Sequence, residues 1–460
     1  MKIKPLGTMM AALISTVLLG YGTNAMADSA VDLIQTLVDK GILTEEEAMP
    51  LIKSRQNNVK AAENKGPSLE VGKKGLVVKS AEGDFSMQVG GRLHADYFNH
   101  VDHGLASGVK PVDGTEIRRA RIYLKGHAYN NFIYMIEADF AGNDVSMKDL
   151  FLTYTGFYAG FDAPLELTLG NQKHAMSMEI QESSNDIMFT ERSLVSALTV
   201  PYFDRALGVN LKGKGKNWNV QGGFYGDAVA NGSKNTNEGY GFGIRGTFAP
   251  IMEKNNILHL GANFGGRFTS DDNMVNTRSA AFAYETTNGS DLRLLNTGTI
   301  AGLDNVQTVI VELAGMYGPL SFQSEFAKSK ADRATGSNLD FTAFYAQAGY
   351  TLTGESRTYE GSDGEFKGLK PAKPFNLRNG SWGAWELAAR YDQIDLEDDN
   401  VNGGDGKRMT VALNWYLNDN IRLMADYSRT FYIANGPIVK LDGSNANDID
   451  VFTFRTQLAF

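Results

Sequence analysis

From Phe85 onward, apolar and polar residues alternate with a period of two. Phe85, Met87, Val89, Leu93, Ala95 and Tyr97 are interleaved with Ser86, Gln88, Gly90, Arg92, His94 and Asp96. The pattern returns at Ala120-Ile122-Leu124, Phe132-Tyr134-Ile136-Ala138-Phe140, Leu165-Leu167-Leu169, Leu207-Val209-Leu211 and Trp218-Val220-Phe224. It continues at Tyr240-Phe242-Ile244-Phe248, Leu258-Leu260-Ala262-Phe264-Phe268, Trp385-Leu387-Ala389-Tyr391, Met409-Val411-Leu413-Trp415, Ile421-Leu423-Ala425-Tyr427 and Phe452-Phe454-Leu458-Phe460. A period of two sends successive side chains to opposite faces of a strand. With four less regular runs near 147–155, 306–317, 320–328 and 341–352, the pattern predicts 16 strands.

A soluble sandwich would alternate as well, so the surroundings of the strands decide the class. Connections switch between tight (Asn130-Asn131, Gly318-Pro319) and long (173–205, 269–305, 429–450), and aromatic residues gather at strand ends. Short inner turns, long outer loops and aromatic girdles are the transmembrane-barrel pattern. One connection departs from it. Strand parity puts 353–382, with Pro371 and Pro374, on the periplasmic side, so it is either a long inner turn or a slip of one strand in the count.

Before Phe85 the pattern differs. Lys2 and Lys4, the apolar run Met9–Leu19 and the small residues around Ala25-Met26-Ala27 predict a secretory signal peptide over 1–27. Residues 29 to about 63 read as two short helices. Val31, Ile34, Leu37 and Val38 give one stripe, Gly41 a stop, and Thr44 with Glu47 a capping box, after which Ala48, Leu51, Ile52 and Val59 extend an apolar face. The predicted organisation is a signal peptide (1–27), a periplasmic helical and linker segment (28–84) and a barrel (85–460). The fold class is all-β: a 16-stranded antiparallel transmembrane β-barrel preceded by a short periplasmic helical segment.

Composition narrows the functions. The full chain has 44 basic and 53 acidic residues, and removing Lys2 and Lys4 leaves 42 against 53, a net charge of −11. That balance argues against nucleic-acid binding. Zero cysteines exclude disulfides, thiolate metal sites and a cysteine nucleophile. Gly241-Phe242-Gly243-Ile244-Arg245-Gly246 fits a dinucleotide fingerprint but sits inside an alternating strand with no helix after it. His100, Asp102 and His103 read as a solvated loop more readily than as a metal site. A barrel lipase or protease is the alternative from another class; His94, His127, His174 and His259 lie in no recognisable nucleophile setting, although residues distant in sequence could assemble a triad. An adhesin or receptor would rest on the long loops alone. No cofactor is expected.

Several blocks carry a resemblance. Glu116-Ile117-Arg118-Arg119-Ala120-Arg121-Ile122, Glu137-Ala138-Asp139-Phe140, Phe189-Thr190-Glu191-Arg192-Ser193 and Leu207-Gly208-Val209 resemble the phosphate-selective porin O and P family. So do Arg245-Gly246-Thr247-Phe248-Ala249-Pro250, Tyr350-Thr351-Leu352-Thr353-Gly354-Glu355-Ser356-Arg357 and Leu413-Asn414-Trp415-Tyr416-Leu417, together with the terminal Phe460. The resemblance implies an outer-membrane homotrimer, 16 strands and a third outer loop, here 173–205, folded inward as a constriction. It also implies passive diffusion of small anions such as phosphate, with a general-diffusion porin as the alternative. The row of basic residues such members carry after the ninth strand is sparse here, where Arg278 stands nearly alone until Arg293.

With the apolar partners against lipid, the intervening residues face the lumen. The expected pore-lining basic set is Arg92, Arg119, Arg121, Lys125, Arg245, Arg267, Arg390, Arg408, Arg422 and Arg455, with Glu137, Asp139, Asp149 and Glu166 opposing it. The constriction loop contributes Lys173, His174, Glu179, Glu182, Asp186, Glu191, Arg192 and Arg205. Because the last strand closes on the first, Arg390, Arg408, Arg422, Arg455, Arg92, Arg119, Arg121 and Lys125 form one basic arc, facing the acidic third to fifth strands. Arginine rows favour anions, and the opposing acids predict a modest rather than exclusive preference.

Overall fold

The computed structural model describes residues 34–41, 43–53, 66–101, 104–106, 109, 111–160, 163–229, 237–269 and 282–460. The expected signal peptide, Val31, Val59, Asp102, His103 and Arg278 lie outside them. Residues 34–39 and 45–53 are helical. Gly41, at φ +68°, ends the first helix, its N–H donating to Val38 O at 2.9 Å. The capping box is made in both directions, with Glu47 Oε2 accepting from Thr44 N (3.0 Å) and Thr44 Oγ1 from Glu47 N (3.3 Å).

Sixteen antiparallel strands build the barrel. The first eight are β1 (Ser86–Val101), β2 (Gly114–Ala128), β3 (Phe132–Asp139), β4 (Ser146–Phe157), β5 (Leu165–Lys173), β6 (Arg205–Lys214), β7 (Trp218–Tyr225) and β8 (Tyr240–Glu253). The rest are β9 (Asn256–Phe268), β10 (Leu303–Tyr317), β11 (Leu320–Arg333), β12 (Leu339–Thr351), β13 (Ala384–Asp398), β14 (Val401–Tyr416), β15 (Ile421–Ala434) and β16 (Ile449–Ala459). Each pairs with its sequence neighbours, and β16 closes on β1, where Arg455 stands opposite Asp96 and Phe454 opposite Tyr97. Closure leaves no unpaired edge, which a backbone in hydrocarbon requires. Among the described residues no helix is long and apolar enough to cross a membrane, so the crossing is made by strands.

Alternation holds along the wall. In β10, Val309, Val311 and Leu313 are exposed while Thr308, Ile310 and Glu312 point inward and are buried. Ile122 and Val411 lie on the outer face, about half exposed. The expected tight turns have the chemistry their geometry needs. Tyr129 and Asn130 both take positive φ between β2 and β3, and Gly318, at φ +55°, turns β10 into β11. The strand count did not slip: 352–383 joins β12 to β13 at the same end as those tight turns.

Inside the barrel the lumen is not uniformly polar. The helix Leu194–Phe203 and the hairpin Ala283–Thr287/Ser290–Asn296 come from outer connections. Their Leu194, Leu198, Phe203, Tyr284, Leu294 and Leu295 pack on inward-facing Ile310, Phe341, Tyr345 and Ile394 of β10, β12 and β13. This dry core fills the lumen beside β10–β13 and takes no residue from the shorter strands β3–β7.

Candidate functional site

Two connections enter the lumen from opposite ends. From the outer end comes 174–204, whose start is tied down by Glu325 of β11. That carboxylate accepts from Met178 N (2.8 Å), Glu179 N (3.2 Å) and Ser177 Oγ (3.2 Å). From the inner end comes 352–383. Arg245 of β8 pairs with Glu312 at 2.9 Å and donates to Asp363 O (2.9 Å) and Gly364 O (2.7 Å). Lys212 meets Asp363 at 2.5 Å, and Arg357 pairs with Glu386 of β13 at 2.9 Å. Gly364 has φ +64°, and a Cβ there would sit 2.5 Å from Thr247 Oγ1, so glycine is required for this approach. The two insertions touch where Arg357 Nη1 donates to Asp186 O at 2.8 Å.

These insertions decide what the expected pore residues do. Arg390, Arg422 and Arg455 face inward but are buried under 174–204. Arg455 holds Asp96, and Arg390 and Arg408 share Asp392 at 3.0 and 3.1 Å. Arg245 is buried against the inner turn, and Arg267 is held at the base of an outer loop by Asp227 and Gly226 O. The continuous basic arc expected from alternation is therefore largely covered, because alternation gives the face of a residue and not what lies on it. Lys125 is exposed above the Tyr123 ring at 5.0 Å.

On the other side of the lumen the charges pair with one another along the wall, Arg92, Arg121, Arg205 and Asp149 part-exposed and Glu137 buried. Glu137 accepts from Arg92 (3.1 Å) and Arg121 (3.0 Å), and Arg121 also reaches Asp139 at 2.7 Å. Arg205 forms a fork with Asp149 at 2.9 and 3.0 Å, and Lys214 meets Glu166 at 2.5 Å. Lys173 Nζ donates to Gln181 O (2.8 Å) and Glu182 O (3.2 Å), and Arg192 to Glu179 O and Glu182 O, both at 3.0 Å. His174 is structural, its Nδ1 2.7 Å from Asp204 O and its ring tilted over Tyr225. Glu179 accepts from Ser193 N at 2.9 Å, closing the loop on itself.

Sequence reasoning missed Arg118. Register slips between His94 and Ala95, a β-bulge that leaves Arg118 unmatched and turns both Arg118 and Arg119 inward. Arg118 forks onto Glu191 at 2.7 and 3.1 Å, while Arg119 approaches His94 at 3.4 Å. Burial alone would raise the Glu191 carboxyl, but Arg118, with Arg119 and Arg455 nearby, holds it well below the usual carboxylate range. The adjacent polar pair within an alternating run was the available signal.

Two cavities flank this side. The outer one, about 560 Å³, is bordered by Arg118, Arg119, Arg121, Lys148, Arg192, Arg205, Arg293 and Arg408, against Asp139, Glu191, Asp204 and Glu285. The inner one, about 360 Å³, is bordered by Lys173, Lys212, Asp149, Glu166, Gln172 and Thr168. Arg205 borders the first and its partner Asp149 the second, so this pair stands between them.

A barrel with an inward outer loop and a charged eyelet is a porin architecture, and the sequence comparisons agree. Residues 87–460 match the family described as phosphate-selective porin O and P. The chain is 30% identical over 426 residues to Porin O of Pseudomonas aeruginosa, covering 84% of this chain and 91% of that protein. The chain belongs to the phosphate-selective porin O and P family. This porin is also 30% identical over 394 residues to an uncharacterized protein of Caulobacter vibrioides, covering 82% of this chain and 75% of that one. Among solved structures, OmpT of Vibrio cholerae matches with a TM-score of 0.51 at 12% identity, covering 82% of this chain and 98% of that one. The anion-selective porin from Comamonas acidovorans matches with 0.50, also at 12% identity, covering 82% and 100%. These two likenesses concern the fold. Family membership makes the protein an outer-membrane channel rather than a barrel enzyme.

The porin's eyelet has an uneven field. Eight basic side chains border the outer cavity against four acidic ones, and low-dielectric walls focus the field of that excess into the cavity. Guanidinium forks match the geometry of oxyanions, and carboxylates interleaved with them weaken any single anion site.

Proposed function

We propose that this porin conducts small inorganic anions, phosphate among them, along the β2–β7 side of its lumen. The observation that carries the reading is the outer cavity's basic excess, followed inward by Lys173 and Lys212. The path would run past Arg118 and Arg121, through the gap beside Arg205–Asp149, to Lys173. The interleaved acids favour a modest preference for anions in general over exclusive passage of phosphate. Single-channel conductance in planar bilayers tests this, with potassium chloride compared with potassium phosphate. Current in both salts, and a partial reduction of chloride current on adding phosphate, is expected. Chloride current that phosphate leaves untouched, with no current in phosphate alone, would remove phosphate from the reading.

The same proposal extends to processing and assembly. Export with removal of 1–27 would leave Asp28 as the first residue, which intact mass of the purified protein reads. Residues 28–84 would then form a periplasmic appendage, and the lipid-embedded barrels would associate as a homotrimer. The family supports the trimer, and light scattering in detergent tests it.

A further inference from the structure

The segment 185–192 of the outer loop lies in no helix or strand, yet its carbonyls are nearly all taken. Arg422 Nη1 donates to Ile187 O at 2.8 Å, and Arg455 Nη1 to Thr190 O at 2.5 Å. Arg390 donates to Glu191 O (3.1 Å) and Arg192 O (3.3 Å), and Arg408 to Arg192 O (3.3 Å). Neutral donors fill rungs between them, with Gln457 Nε2 on Asn185 O (3.2 Å) and Asn414 Nδ2 on Met188 O (2.8 Å). The inner turn's Arg357 takes Asp186 O. At the one remaining position, the Phe189 ring lies under the Arg390 guanidinium at 4.4 Å. Two loop N–H groups, Thr190 and Leu194, go to wall carboxylates Asp426 (2.7 Å) and Asp392 (3.0 Å).

Arginine suits this work because its planar fork can bind a carboxylate along one edge and a carbonyl along another. Arg455 does so with Asp96 and Thr190 O, and Arg390 with Asp392 and Glu191 O. Their charge is neutralised by the wall, and the remaining donors point at the loop, not at water. We propose that Arg390, Arg422 and Arg455, with Asn414, are positioning residues. On this view they form a docking ladder that fixes 185–192 to the β13–β16 wall and so sets the width of the pore. They are not a relay of sites for the permeating ion. Arg408, which also borders the outer cavity, is the rung where the two roles meet. The inference rests on the porin reading but not on which ion the porin prefers.

The two roles predict opposite results. In an Arg390→Gln, Arg422→Gln variant the ladder account expects conductance to rise roughly twofold, with a larger exclusion limit for neutral polyethylene glycols. A relay would lose conductance with the exclusion limit unchanged. Arg455→Lys separates the roles again, since a charge relay is rescued by lysine and a two-edged fork on Asp96 and Thr190 O is not. If the arginine variants do not insert, the uncharged rung decides. Asn414→Ala should widen the pore on the ladder account, and an unchanged exclusion limit there would overturn it. The chain has no cysteine, so Met188→Cys and Ala412→Cys, both in one small buried apolar cluster, can be oxidised in the Arg422→Gln background. Restoration of wild-type conductance is expected, and reduction should release it. Exclusion limits do not depend on ion preference, so a cation-preferring wild type would fail the proposed function and leave this test standing.

Discussion

At the scale of single residues, two positions carry separate predictions. Ile122 lies on the lipid face directly beside the inward Arg121, and arginine in its place should cost about 2–4 kcal/mol at mid-membrane depth. Refolding titrations of Ile122→Arg into vesicles measure this, and normal stability would mean the strand phase is wrong. Glu182 sits buried in the outer loop, where burial first and then Glu365 and Glu179 push its carboxyl up to about 8, against Arg357 and a hydrogen bond from Gln323. The docked loop thus holds a proton that a released loop would give up above its ordinary value of 4.5. Docking is favoured below that value and weakens as pH rises through the window to about 8. Open-channel noise should therefore grow between pH 6 and pH 9, and Glu182→Gln should flatten that dependence. Noise that falls with rising pH would contradict the assignment.

At the scale of elements, the strands were legible and the insertions were only half so. Period-two alternation survives in any strand with lipid on one side and water on the other, as in Met409-Val411-Leu413, and it blurs in less regular runs such as 306–317, where inward Ile310 meets the dry core. The bulge at Arg118 broke the phase within β2, and single-strand reading counts such a residue on the wrong face. Parity placed 353–382 at the inner end, but its entry into the lumen depends on Arg245 and Glu386, residues far apart in sequence that no local pattern links to it. The covered arc failed to read for the same reason. Two predictions belong here. Removing 178–190 should raise conductance, since that stretch fills the lumen beside Glu325 and Gln323; unchanged conductance would place the constriction elsewhere. Gly364→Val should dislodge the inner turn, because it adds a Cβ within 2.5 Å of Thr247 at positive φ. Faster proteolysis of 352–383 in the purified porin is the expected readout, and unaltered cleavage would argue against tight seating.

For the whole molecule, the barrel is closed, its lumen is divided, and the proposed ion path follows one side of it. The dry core of loop and hairpin fills one side, the docked segment 185–192 covers the arginines of β13–β16, and the basic outer cavity and the charge-balanced inner one remain along β2–β7. The central claim is that the charge on this open side selects the ion. Reversal potentials across a potassium chloride gradient test it most directly, in the wild type and in an Arg121→Glu, Lys173→Gln variant. The account predicts an anion-signed potential for the wild type that moves to zero or changes sign in the variant. A cation-signed wild type, or a variant with the wild-type potential, would contradict it.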